Sequence, residues 1–346
     1  MPARFFQTVV PLIALLGAGP AWAQITVLDQ AQDAVGAPAE REPIAVPAPI
    51  CGTQPISIAE MAWPSAQLLA AIHAKLLAQE FDCDTRVTPG DLAATGSSMG
   101  SSGQPAVAPE MWVTRIADAW NAGVEAQMLR PAAPTFVEEQ FEGWFMPDYL
   151  AAEHPELKTA AGLAAALPAL NTSGKMRLIS CPVDWACAVI NRNLVEALGL
   201  TDLVELVEPA NRYEMDRLIG EAVSLKEAAL FYYWQPNGVL SQLNFVPLDM
   251  GAYDEAAAKC LAQVACTNPA PSAFASETVV VALAEWVFTD TPAIAAYFQR
   301  SSLKLSEMNA LLAQLNEPGA TVEGVAARFV AERSDIWRKW VGEGAQ

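Results

Sequence analysis

Beyond residue 50 the chain alternates between short runs with apolar positions two apart and longer runs with apolar positions three and four apart. These are the periods of strand and helix. "PISIAEMAW" reads as a strand. "PSAQLLAAIHAKLLAQEF" reads as an amphipathic helix, with Pro64 in a first turn where its missing amide is no loss. "DTRVTPGD" follows as a second strand, so the three predict a βαβ unit whose strands run parallel side by side. A glycine- and serine-rich stretch, "TGSSMGSSGQP", reads as a loop before a third strand, "AVAPEMW". Helical spacing returns from Val113 to Leu129, "PTFVEEQFEGWF" reads as strand, and "PDYLAAEHPEL" opens a helix after Pro147. In the second half "KMRLIS", "LVELVE" and "AALFYYW" read as strands separated by helices, and the tail from Ser276 to Val341 reads as mostly helical. Alternation of this kind predicts an α/β protein with largely parallel sheets. No repeat of solenoid length is present.

The first 50 residues lack that pattern. Arg4 precedes an apolar run of eleven residues, Val9 to Gly19, and Ala21-Trp22-Ala23 supplies a small-x-small cleavage pattern. This predicts a signal peptide over 1–23, cleaved after Ala23, and a periplasmic protein. The run is shorter than the roughly 20 residues a membrane helix needs. Residues 24–50, rich in Ala, Pro and acidic residues, read as a flexible tether. Cleavage after Ala23 leaves about 320 residues, a length that suits two domains.

Charge narrows the partners. A formal net charge of −19 opposes nucleic acid and anionic membranes and favours a soluble monomer. In an exported chain the six cysteines predict disulfides. Cys181 pairs locally with Cys187, and Cys260 with Cys266, which leaves Cys51 with Cys83. The last two precede the strands of the βαβ unit by similar distances, and neighbouring strands about 4.8 Å apart suit a disulfide. A zinc site is disfavoured, because there is no C-x-x-C and only His73 and His154 offer nitrogen. No cofactor is predicted.

The tryptophans carry the candidate chemistry. Trp63, Trp112, Trp144 and Trp234 fall at the ends of predicted strands, and Trp185 opens the helix after "KMRLIS". Open α/β sheets bind ligands beyond the carboxyl ends of their strands, so these rings could line one cleft. Trp120, Trp286, Trp337 and Trp340 lack that placement and read as packing. A quaternary ammonium suits such a cleft, since it offers no hydrogen-bond donor and each ring face gives roughly 0.5–2 kcal/mol. Sugars, which also stack on tryptophan, are the competing ligand.

The ordered set "ISIAEMAWPSAQ", "GQPAVAPEMW", "EGWFMPDYL", "CPVDWACAVINRNL", "LFYYWQP" and "DIWRKWV" resembles the glycine-betaine/proline-betaine substrate-binding proteins of bacterial ABC importers, over about residues 51–342. The resemblance implies a two-lobed type II periplasmic-binding fold with a ligand cleft between the lobes. It puts lobe I at 51–143 and 243–346 and lobe II at 144–242. It also implies an aromatic cage for a trimethylammonium group, a small quaternary ammonium ligand, and delivery to an ABC permease in the inner membrane. By position, Trp63, Trp112 and Trp234 match the family's cage, with Trp144, Tyr149 and Trp185 as further walls. Choline, carnitine, proline and dimethylsulfoniopropionate are the other ligands it allows, and a sensor is the other partner.

Two departures bear on the ligand. Ala106 stands where the family often carries an acidic residue, and Trp63 is followed by Pro64-Ser65 where choline-type sites place an aspartate. The second favours a betaine over choline, with Glu110 still within reach of the cleft. A betaine carboxylate would meet either the helix opening at Pro182, whose first amides lack acceptors, or the turn after Trp63. Asp184 would repel it at close range. Arg115 reads as a surface residue with at most a long-range part.

Enzyme readings fare worse. The serines of "TGSSMGSSGQP" do not form G-x-S-x-G, His73 lies mid-helix, His154 reads as surface, and Cys181 and Cys187 lack redox spacing. The expectation is a receptor without catalytic residues. Within it, "CPVDWAC" is a short staple that sets the direction of Trp185.

Overall fold

The βαβ unit forms as the periodicity predicts. β1 (Ile56–Met61) and β2 (Thr85–Gly90) pair in parallel, Ile56 against Thr85 and Met61 against Gly90, joined by α1 (Pro64–Phe81). The buried side of α1 carries Leu68, Leu69, Ile72 and Leu76. β2 takes the sheet edge, which tolerates Pro89 because an edge strand has an unpaired side. Cys51 and Cys83 are bonded across the start of the two strands, with Cα atoms 5.5 Å apart. A computed structural model describes residues 49–138, 141–170 and 174–342. The expected signal peptide, and the tether but for its last two residues, lie outside them.

The glycine- and serine-rich stretch is a helix, not a loop. α2 (Leu92–Ser102) begins at Asp91, whose carboxylate accepts the Ala94 amide at 2.9 Å, and ends at Gly103 with φ 65°. Its glycines permit close packing. A Cβ on Gly100 would lie 3.3 Å from the Gly123 Cα in α3 (Ala117–Glu125).

Two five-stranded sheets organise the rest. β3 (Val107–Trp112), β4 (Leu129–Pro134) and β10 (Val279–Ala284) complete the first, in the order β2-β1-β3-β10-β4. The second joins β5 (Glu142–Pro147), β6 (Met176–Ile179), β7 (Val204–Val207), β8 (Ala229–Trp234) and β9 (Phe245–Pro247), in the order β7-β6-β8-β5-β9. Each sheet has two parallel joins and two antiparallel ones, so the expectation of largely parallel sheets is corrected. The reversals lie at β5 and β10, where the chain arrives from the other sheet. Side-chain periodicity encodes burial, not strand direction.

Two further expectations change. "VVVALA" inside the supposedly helical tail is β10, buried at every residue and central in its sheet. Residues 244–275, assigned to lobe I from the sequence, sit with the second sheet. β9 pairs with β5, Leu248, Met250 and Leu261 enter the second core, and Asn193 Nδ2 donates to the Leu261 carbonyl at 2.8 Å. The chain leaves the second sheet only after Phe274, which packs on that core.

The tail helices close the first core. Phe298, Met308, Phe329, Trp337 and Trp340 pack there, with Trp286 against it and Trp120 against the adjoining cluster, as the packing assignment requires. Among the described residues no helix is long and apolar enough to cross a membrane.

Candidate functional site

A cleft of about 890 Å³ opens at the carboxyl ends of the parallel strands of the two sheets, with the amino ends of the reversed strands β5 and β10 beside them. Four of the six predicted aromatics line it: Trp63, Trp112, Trp185 and Trp234.

Trp63 lies two residues beyond the end of β1 and is the extended residue that starts α1, at φ −116° and ψ 152°. Trp112 ends β3. One side chain joins them. Glu110 Oε1 accepts the indole N–H of Trp63 at 2.8 Å, that of Trp112 at 2.9 Å, and the Ser65 hydroxyl at 3.0 Å. Glu110 is buried, and its Oε2 has no hydrogen-bond partner among the described residues. Burial pushes its carboxyl up to about 7, against the pull of those hydrogen bonds and of Arg115. Arg115 is exposed at the surface, as expected, yet its part is not only long-range. It lines the cleft, its guanidinium lies 4.5 Å from the Trp112 ring centroid, and Nη2 meets Glu277 at 2.8 Å.

The second half is built around "CPVDWAC". Cys181 and Cys187 are bonded, with Cα atoms 6.2 Å apart. Within that loop the Trp185 amide donates to the Pro182 carbonyl at 2.9 Å. The helix runs Ala186–Ala197, so it opens four residues later than predicted, with Trp185 rather than Pro182 at its threshold. No side chain caps it, and its first two residues, Ala186 and Cys187, line the cleft. Trp185 meets Trp234 edge-on at 5.2 Å, and Tyr233 stacks on Trp234 at 4.7 Å. The Arg212 guanidinium lies 5.7 Å from the Trp234 centroid and pairs with Asp216 at 3.5 Å.

Trp144 and Tyr149 are not brought to the cleft. Trp144 sits inside β5 rather than at its end and is fully buried, its indole N–H donating to Asn191 Oδ1 at 2.8 Å. Asn191 in turn donates to the Ser180 hydroxyl at 2.9 Å, so Trp144 braces the helix that carries Trp185. The Tyr149 hydroxyl donates to the Glu227 carbonyl at 2.8 Å, fixing the loop before β8.

Other cleft residues carry at most an indirect sequence signal. Arg212 follows the Asn211 cap of its helix, and that cap could have been read as placing Arg212 near a strand end. Glu142 accepts a hydrogen bond from the Tyr232 hydroxyl. Burial raises its carboxyl, and Glu277 adds to the rise against that hydrogen bond. Both line the cleft. Gly238 lies where the segment after β8 meets the tail helix Leu305–Leu315, and a Cβ there would fall 2.9 Å from the Ala313 amide nitrogen. Neither histidine lines the cleft. His73 is buried with Tyr297, and His154 sits beside Glu156.

A family profile described as the substrate binding domain of ABC-type glycine betaine transport system matches residues 54–332. Comparison with curated proteins finds no match. Among solved structures the chain is similar to apo YehZ from Escherichia coli, at 15% identity and TM-score 0.57, over 81% of this chain and 99% of that one. It is also similar to the glycine/betaine/L-proline-binding protein ProX from Borrelia burgdorferi, at 14% identity and TM-score 0.50, over 84% and 97%. A glycine betaine/carnitine/choline ABC transporter structure matches at 11% identity and TM-score 0.53, over 82% and 99%. At these identities the likeness is one of fold, that of two-lobed periplasmic-binding proteins.

Proposed function

The chain belongs to the family of substrate-binding domains of ABC-type glycine betaine transport systems, and from that premise we propose that it captures a small quaternary ammonium compound, glycine betaine or a close relative, and delivers it to an inner-membrane permease. The observation that carries this reading is the set of four tryptophans lining one cleft from both sheets. At roughly 0.5–2 kcal/mol per desolvated ring, they supply several kcal/mol toward a ligand with no hydrogen to donate. That is enough for micromolar binding after association costs.

The amides of Ala186 and Cys187, at the uncapped and positive end of their helix, receive the carboxylate of a betaine. Asp184 is exposed and precedes that first turn, so solvent screens its repulsion of the carboxylate. The lobes divide at about residues 141 and 275, so lobe I holds the first sheet and tail helices and lobe II the second sheet. At about 890 Å³ the cleft leaves room for the lobes to close on so small a ligand. The protein works without turnover, as an exported periplasmic monomer after cleavage at Ala23.

A thermal-shift panel of quaternary amines, sugars and amino acids tests this. A ligand at 100 times its Kd stabilises the protein by about 2.7 kcal/mol. Shifts with sugars and none with any quaternary amine would overturn the reading.

A further inference from the structure

Glu110 touches two walls of the cleft at once. Its Oε1 meets the N–H edges of Trp63 and Trp112, and the Ser65 hydroxyl completes its donors. An acceptor shared by two indole edges fixes the planes of both rings. Charge is unevenly matched around it. Arg115, the nearby guanidinium that favours ionised Glu110, is itself paired with Glu277 at 2.8 Å. Glu142, which also lines the cleft, adds no positive charge. The second oxygen of Glu110 is buried with no donor among the described residues, an arrangement that is costly for a carboxylate.

We propose that Glu110 is the counter-charge and positioning residue of the first-sheet half of the cleft, so that the site selects a positively charged headgroup over a neutral one of the same shape. The inference rests on the reading of the cleft as a quaternary-amine site. A quaternary ammonium fits this carboxylate because it needs charge and ring faces but no open oxygen. Sugars need directional partners, which a solvent-shielded Oε2 does not offer. Ligand charge and Glu110 ionisation are then coupled, and binding to protonated protein releases a proton.

The test compares isosteric pairs by titration calorimetry: choline against 3,3-dimethylbutan-1-ol, and glycine betaine against 3,3-dimethylbutanoate. The wild-type protein prefers the quaternary member, with affinity falling about tenfold per pH unit below about 7. Glu110→Gln keeps an acceptor for both indoles but no charge. It loses at least about tenfold of that preference, the scale of one nearby charge in protein, and its pH profile becomes flat. Glu110→Ala also frees the rings and weakens both members of each pair. A Glu110→Gln variant that retains the wild-type preference and pH profile would overturn the proposal. Should that variant not fold, the wild-type protein decides alone: no proton release on binding at pH 6, measured in two buffers of different ionisation enthalpy, also overturns it. Failure of the wild-type protein to bind either quaternary amine removes the transport reading itself, a different result.

Discussion

Asn309 holds Asn237. Its Oδ1 accepts the Asn237 amide at 2.6 Å, and its Nδ2 reaches Gln235 Oε1 at 3.1 Å. A tail helix packed with the first sheet thereby grips the segment that leaves β8 just after Trp234. Both asparagines are buried, so Asn309→Ala strands the Asn237 amide. The expected cost is about 1–3 kcal/mol of stability in urea unfolding. The same variant should bind quaternary amines more weakly, because the segment positioning Trp234 is released. Unchanged affinity together with lost stability would confine Asn309 to packing.

Cage and scaffold tryptophans should separate by readout. Trp63→Ala and Trp234→Ala remove cleft walls, so each should abolish the thermal shift with glycine betaine while the protein still unfolds cooperatively. Trp144→Phe leaves Asn191 Oδ1 without its donor. It should instead cost about 1–3 kcal/mol of stability, with ligand affinity reduced less than in the cage variants. Abolished binding in a stable Trp144→Phe protein would return Trp144 to the cage.

The three disulfides should not be equivalent. The Cys51–Cys83 bridge closes 32 residues and the Cys181–Cys187 bridge closes six. In the loop-entropy account the first stabilises by about 3–4 kcal/mol and the second by about 2 kcal/mol. Replacing Cys51 and Cys83 by serine should therefore lower the unfolding midpoint more. Replacing Cys181 and Cys187 should have the larger effect on affinity, since that loop carries Trp185 and the helix opening. Equal losses of affinity in both variants would refute a special role for the short loop.

What was legible in the sequence follows from what side-chain pattern encodes. The βαβ unit, the three pairings and the four cleft tryptophans were readable because burial period, cysteine spacing and strand ends are local facts. Strand direction at β5 and β10 was not, since an apolar run such as Val279–Ala284 looks the same in either orientation. α2 was misread because its glycines signal loop in isolation. Their reason lies in the close approach of Gly100 to Gly123, a contact made only in the fold. Trp144 shares the composition of its neighbours but points its N–H into Asn191, a partner 47 positions away. Arg115 and Arg212 entered the cleft by stacking on its tryptophans, and no motif announces that.

Two buried groups give the ligand-free protein opposing responses to pH. His73 is enclosed by Tyr297, Phe298 and Trp340, with Nδ1 2.7 Å from the Tyr297 hydroxyl, and burial lowers its pKa from 6.5 to about 3. The unfolded chain binds that proton first, so stability is full above 6.5 and falls as pH drops toward 3, by up to about 5 kcal/mol. Glu110 works the other way. Its pKa rises from 4.5 to about 7, so the folded state holds the proton longer, and stability falls as pH climbs from 4.5 to 7, by up to about 3 kcal/mol. Urea unfolding between pH 4 and 8 resolves the two. His73→Phe should flatten the acid limb at a constant cost from the unpartnered Tyr297 hydroxyl. Glu110→Gln should flatten the decline toward neutral pH and leave the acid limb in place. A saturating quaternary amine should flatten that same decline in the wild-type protein, since a cation beside Glu110 favours its ionised form. If the decline persists with ligand bound, the cation does not sit where Glu110 can sense it.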